Sequence, residues 1–105
     1  VSTLVDGLQY GAICHRGAGE IIACGWASDA ILFRSATTTA LTADILHSAA
    51  TELTVCAAVV GEGDPIPRSA IIGHDDGSVL VAVDDGAGAI KVYRCRSFAD
   101  GFSEV

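Results

Sequence analysis

The side chains that could do chemistry in this sequence are four cysteines, three histidines and two pairs of aspartates in turn-like surroundings. Cys14-His15 has the composition of a thiolate–imidazole pair. Neighbouring residues of a strand point to opposite faces, however, so nucleophile and base cannot meet there. Cys14 could find an imidazole only in His74, brought in from another strand. Cys14, Cys24, Cys56 and Cys95 stand 10, 32 and 39 residues apart with no CxxC between them. That spacing fits no zinc ribbon or finger, and free thiols in a reducing cytosol are the expectation. Ser28, within Gly25-Trp26-Ala27-Ser28-Asp29-Ala30, lacks the second glycine of a G-x-S-x-G elbow. Asp75-Asp76 and Asp84-Asp85 cap opposite ends of a short apolar run, about 17 Å apart if that run is a strand. They cannot share one ion, and neither pair matches an EF-hand loop. The Gly-Ala-Gly turns at 17–19 and 86–88 lead into strand-like runs, so no helix N-terminus stands ready for a phosphate. No catalytic, metal or cofactor residue is nominated, and the chain reads as a non-enzyme.

Composition narrows the partners. The chain has 105 residues, is 50% hydrophobic and only 18% charged, and carries a net charge of −7 with six Lys and Arg dispersed along it. That length suits one domain, here 1–105, with a short N-terminal segment (1–9) and a tail (97–105). Phosphate-backbone binding needs a clustered basic patch, so nucleic acid is not expected, and an anionic membrane surface is disfavoured for the same reason. So apolar a small domain is expected to hide part of its surface in a partner. The stretch VSTLVDGLQ has neither a basic n-region nor an apolar h-region, and no run reaches membrane-spanning length. A cytoplasmic protein without a signal peptide is expected.

The elements that would position these residues follow from periodicity. In TTTALTADILHSAATELTVCAAVV, residues 37–60, Leu41, Ile45, Ala49, Leu53, Ala57 and Val60 fall at helical spacing. That pattern predicts one long amphipathic helix, with Ser35 and the threonines at 37–39 as N-caps and Gly61 as the stop. His47 would sit on its flank. Runs 10–16 and 20–26 around Gly17-Ala18-Gly19 predict a hairpin. If Arg16 faces Glu20, Cys14 faces Ile22 and Ala12 faces Cys24. Residues 27–34 read as an extension into the helix, and 62–67 as a loop, because Pro65 and Pro67 cannot donate to a ladder. Runs 68–74, 78–83 and 89–96, joined by Asp-Gly turns, predict a three-stranded meander. Both faces of that sheet look apolar: Val79, Val81 and Val83 alternate with Leu80 and Ala82. One face wet would give cleaner alternation, so both faces need cover. Tyr10, Trp26 and Tyr93 offer either an aromatic partner site or core packing against Phe98 and Phe102.

YGAICHRGAGEIIACGW, the 37–60 stretch and SAIIGHDDGSVLVAVDDGAGAIKVYR together, from about residue 10 to 96, resemble the Roadblock/LC7 family. The resemblance implies an α+β fold: a five-stranded antiparallel sheet of order 2-1-5-4-3 with one long helix between strands 2 and 3, in the profilin-like layered arrangement. It also implies a homodimer built on that helix and the third strand. Carried onto this chain, the dimer surface would use Leu41, Asp44, Ile45, Ser48 and Glu52 on the helix, with Ser69, Ile71 and Gly73 on the strand. Family members are non-catalytic scaffolds that regulate small Ras-like GTPases or join larger complexes, so a GTPase or other protein is the implied partner. Only nine residues precede Tyr10, where the family has a full helix. The alternative is a small-molecule-binding sensor of α+β type, its ligand enclosed by the second apolar face.

Overall fold

The computed structural model describes residues 2–16, 19–37, 43–86 and 88–105. Eight strands form two four-stranded antiparallel sheets, each a simple meander: β1 (Gln9–Arg16), β2 (Glu20–Ala27), β3 (Ala30–Thr37) and β4 (Thr51–Ala57) in the first, β5 (Arg68–Gly73), β6 (Val79–Asp84), β7 (Ile90–Cys95) and β8 (Phe102–Glu104) in the second. The sheets pack face to face, with β5 against β1 and β2 and β8 against β4. This overturns the five-stranded 2-1-5-4-3 sheet and its long helix, and with them the α+β layered fold. Among the described residues the only helical element is a five-residue 3-10 turn, Ala43–His47.

The reason lies in one irregularity. β4 pairs with β3 through Phe33↔Leu53 and Leu32↔Thr54, then slips so that Ile31 faces Cys56. The extra residue lets Leu53, Val55 and Cys56 all pack on the interior. A bulge breaks the period of two, so the run from Leu53 to Cys56 lacks the clean alternation that marks a strand. Thr51, Thr54 and Val55 are β-branched and favour the pleat. Residues 27–34, expected to lead into a helix, instead turn through Ser28-Asp29 and form β3 in register with β2. The tail, residues 97–105, supplies β8.

The other sequence expectations about strands stand. Arg16↔Glu20, Cys14↔Ile22 and Ala12↔Cys24 are partners in the first hairpin. The three-stranded meander is β5, β6 and β7. Residues 58–67 cross between the sheets, pinned by the Trp26 indole N–H, which donates to the Ala58 carbonyl at 3.0 Å.

Between the sheets lie Ile22, Cys24, Ile31, Phe33 and Val55 from the first, and Ile71, Val79, Val81, Val83 and Cys95 from the second. Phe98 and Phe102 pack at 5.9 and 5.5 Å from the Phe33 ring centroid. Trp26 and Tyr93 pack on the same core, while Tyr10 is exposed. The far end of the sandwich is tied by Arg16, which pairs with Glu20 and donates to the Gly77 carbonyl at 2.6 Å.

Candidate functional site

Each sheet also has an outer face, and the two are treated differently. On the first sheet Ile21, Ala23 and Ala36 form an apolar floor, with Leu4 fully buried on it and Val5, Leu8, Ile45 and Ala50 packed around. The cover is the chain's own N-terminal segment laid against the 3-10 turn. Leu4 N–H donates to Ser48 C=O at 3.0 Å and Val5 N–H to Leu46 C=O at 3.1 Å. Gly25 makes room for it: a Cβ there would stand 2.8 Å from Leu8 Cβ. Arg34 is buried at the centre. Its Nε donates to Glu52 at 2.8 Å and its Nη1 to the carbonyls of Thr3 and Asp6. Burial works against ionising Glu52, but hydrogen bonds from Arg34 and Ser2 outweigh it and hold the carboxyl below the usual range. Asp6 is lowered too, by hydrogen bonds from Thr3 and His47.

The outer face of the second sheet has no such cover among the described residues. The registers of β5, β6 and β7 put Ala70, Ala82 and Val92 in one row, with Val105 N–H bonded to Val92 C=O. Ile72, Leu80 and Arg94 form the next row, and Arg68, Asp84 and Ile90 the one on the other side. Ile72 is 66% exposed, Leu80 38% and Ile90 71%. Arg68 and Arg94 stand at opposite corners, and Arg68 reaches over the Tyr10 ring at 5.8 Å. The patch measures roughly 350 Å² from strand spacing and rise, within the size at which the largest patch of a monomer is often functional.

The residues nominated from the sequence do not gather on one surface. Ile71 is buried between the sheets. Ser69 meets the Cys24 thiol at 3.4 Å on the same inner face, and a Cβ at Gly73 would collide with Arg16 and Ile22. Ile45 packs on the first sheet's outer floor, Ser48 accepts from Leu4, and Glu52 serves Arg34. Leu41 lies outside the described residues, as does the side chain of Asp44. Ile72, one residue from Ile71, carries the exposed surface instead. In a strand that single step exchanges interior for exterior, and the run Ala70-Ile71-Ile72 gives no polar marker for the phase.

The nucleophile candidates are likewise separated. Cys14 packs on the interior, its neighbour His15 is exposed, and His74 hydrogen-bonds within its own turn near Asp76. Asp76 caps Ser78 N–H and Asp84 caps Gly86 N–H, each stabilising its own hairpin. Among the described residues no group of three His, Cys, Asp or Glu could hold a metal.

A second concavity, a half-open cleft of ≈ 340 Å³, lies beneath the crossover and is lined by Cys56, Val59, Pro65, Val83, Lys91 and Tyr93 among others. Burial, with its hydrogen bond to Cys56, pushes the Tyr93 hydroxyl up to about 12. Burial also raises the Cys56 thiol, against that hydrogen bond and the Lys91 charge. Both groups keep their protons at neutral pH, so the cleft offers hydrogen bonds rather than a nucleophile.

No helix among the described residues is long and apolar enough to cross a membrane. Compared with known proteins, the chain matches no family model, no curated protein and no solved structure.

Proposed function

We propose that this chain is a non-catalytic protein-binding module whose contact surface is the outer face of its second sheet. One observation carries the reading. Most of the equivalent face of the first sheet is covered by the chain itself, with Ile13 on β1 left 46% exposed, whereas Ile72, Leu80, Ile90 and Val92 are exposed together. Burying the apolar part of such a patch returns about 25 cal/mol per Å², a gain set against the cost of association. The face alone is less than half of the about 800 Å² per partner typical of stable complexes, so a short segment of another chain is placed on it. Four free cysteines suit a reducing compartment, and the cytoplasm is proposed as the location.

The test is selection of peptides about twelve residues long from a random display library, followed by amide-shift mapping of the tightest binders. The shifts are expected at Ala70, Ile72, Leu80, Ala82 and Val92. The second reading, a small-molecule-binding module, draws on the cleft beside Tyr93. Shifts confined to Cys56, Val59, Lys91 and Tyr93 would favour it and overturn the first.

A further inference from the structure

The covered face shows what chemistry covers such a surface. There an apolar floor meets a segment bearing Leu4, Val5 and Leu8, and one arginine, Arg34, gathers two of that segment's carbonyls and the carboxylate of Glu52. The segment also brings an acid, Asp6, whose charge Arg34 helps to hold. The open face has the same parts without the cover: a floor of Ala70, Ile72, Leu80, Ala82 and Val92, and two arginines, Arg68 and Arg94. Within its three rows the carboxylate is Asp84, turned to the Gly86 N–H at 2.9 Å, while Asp100 and Glu104 stand with Arg96 at the rim beside Arg94.

Charge sets this face apart from the rest of the molecule. The chain carries −7, yet the three rows of this face hold two cations, Arg68 and Arg94, against the one anion Asp84. Of the six basic residues, Arg16 and Arg34 are spent on Glu20 and Glu52. Arg68 and Arg94 make no ion pair among the described residues. An acidic molecule that keeps its exposed arginines on its apolar face selects for a partner of opposite sign.

Resting on the binding reading above, we infer that the partner of this face is an amphipathic segment of another protein, apolar on one side and flanked by carboxylates. Two strand spacings across and four residues along separate Arg68 from Arg94 by about 17 Å. On a helix that distance is about eleven residues, or three turns. A helix of that length, with leucines or similar residues at spacings of three and four, matches the floor and places an acid at each arginine.

The probe is a labelled helical peptide of about fourteen residues, with leucines on one face and glutamates about eleven positions apart. Its companions carry glutamine or lysine in place of the two glutamates. Binding is read by fluorescence anisotropy on the intact chain, on Leu80→Lys, on Ile72→Lys and on the double variant Arg68→Glu/Arg94→Glu. The glutamate peptide is expected to bind the intact chain and to lose about tenfold on the charge-reversed double variant. The lysine peptide should show the opposite order, and Leu80→Lys should abolish both. Equal affinity of all three peptides, lost in Leu80→Lys, would overturn the acidic partner while leaving the face as a binding surface. Binding unaffected by both Leu80→Lys and Ile72→Lys would overturn the face itself. Sedimentation run in parallel supplies the remaining arm: a dimer dispersed by Leu80→Lys would assign the face to a second copy and overturn the proposal.

Discussion

The outer faces of the two sheets begin from similar sequences and end in different states. Each is an apolar surface with arginine set into it. The first recruits the chain's own N-terminal segment and loses most of its exposure, Ile13 excepted, and the second remains open. The difference teaches which apolar residues serve stability and which are available for contact. Leu4 and Leu80 are both leucines over a sheet, yet one is fully buried and the other is 38% exposed. Only the first should matter to folding.

The comparison is broken most sharply at Leu4. Leu4→Ala should lower unfolding free energy by about 3 kcal/mol, the usual cost of a large core truncation, measured by urea denaturation. Arg34→Met removes the clamp but leaves Glu52, which is part-exposed and retains some hydration. Its expected cost is about 2 kcal/mol, below the roughly 3–5 kcal/mol of a fully buried pair broken on one side. If both substitutions were silent, the N-terminal segment would not be the cover described here.

Acid sharpens the same contrast. Glu52 and Asp6 have folded-state pKa values below their ordinary 4.5 and 3.8. A depressed carboxylate contributes stability that is present above its unfolded value and is lost as pH falls through the folded one. Amide protection at Leu4 and Val5 should therefore fall below about pH 4, read by hydrogen exchange. Protection of Val81, in the middle of β6, should outlast it, since the lowered carboxylates near that strand, Asp76 and Glu20, act at its turn and not at its centre. Alkali acts at the cleft instead. Tyr93 is raised, so its contribution is present below its ordinary 10.0 and lost towards about 12. In Tyr10→Phe protein, ultraviolet titration should find the one remaining phenol ionising near that upper value.

Much of the strand pairing was legible in particular residues. Arg16 and Glu20, opposite charges either side of a glycine turn, gave the first register, and the Asp-Gly turns gave the meander. That the second sheet is apolar on both faces was also readable, from Leu80 and Ala82 between the valines; that one face stays uncovered was not. The 37–60 stretch was not legible, because the bulge at β4 removes the alternation that would mark a strand. Its β-branched Thr51, Thr54 and Val55 were the counter-signal, weaker than an apparent stripe of six positions. The exposed patch was hidden for a related reason: in Ala70-Ile71-Ile72 neighbouring apolar residues serve opposite faces, and only the sheet's packing decides which.

The central claim is that the second sheet's outer face is held open for a partner rather than for folding. Denaturant unfolding of Leu80→Lys beside the unsubstituted chain tests it most directly, since no partner is needed. The account predicts a change within about 0.5 kcal/mol, as for an ordinary surface substitution. A loss of about 2 kcal/mol or more would show that the chain covers this face itself, and would contradict the account.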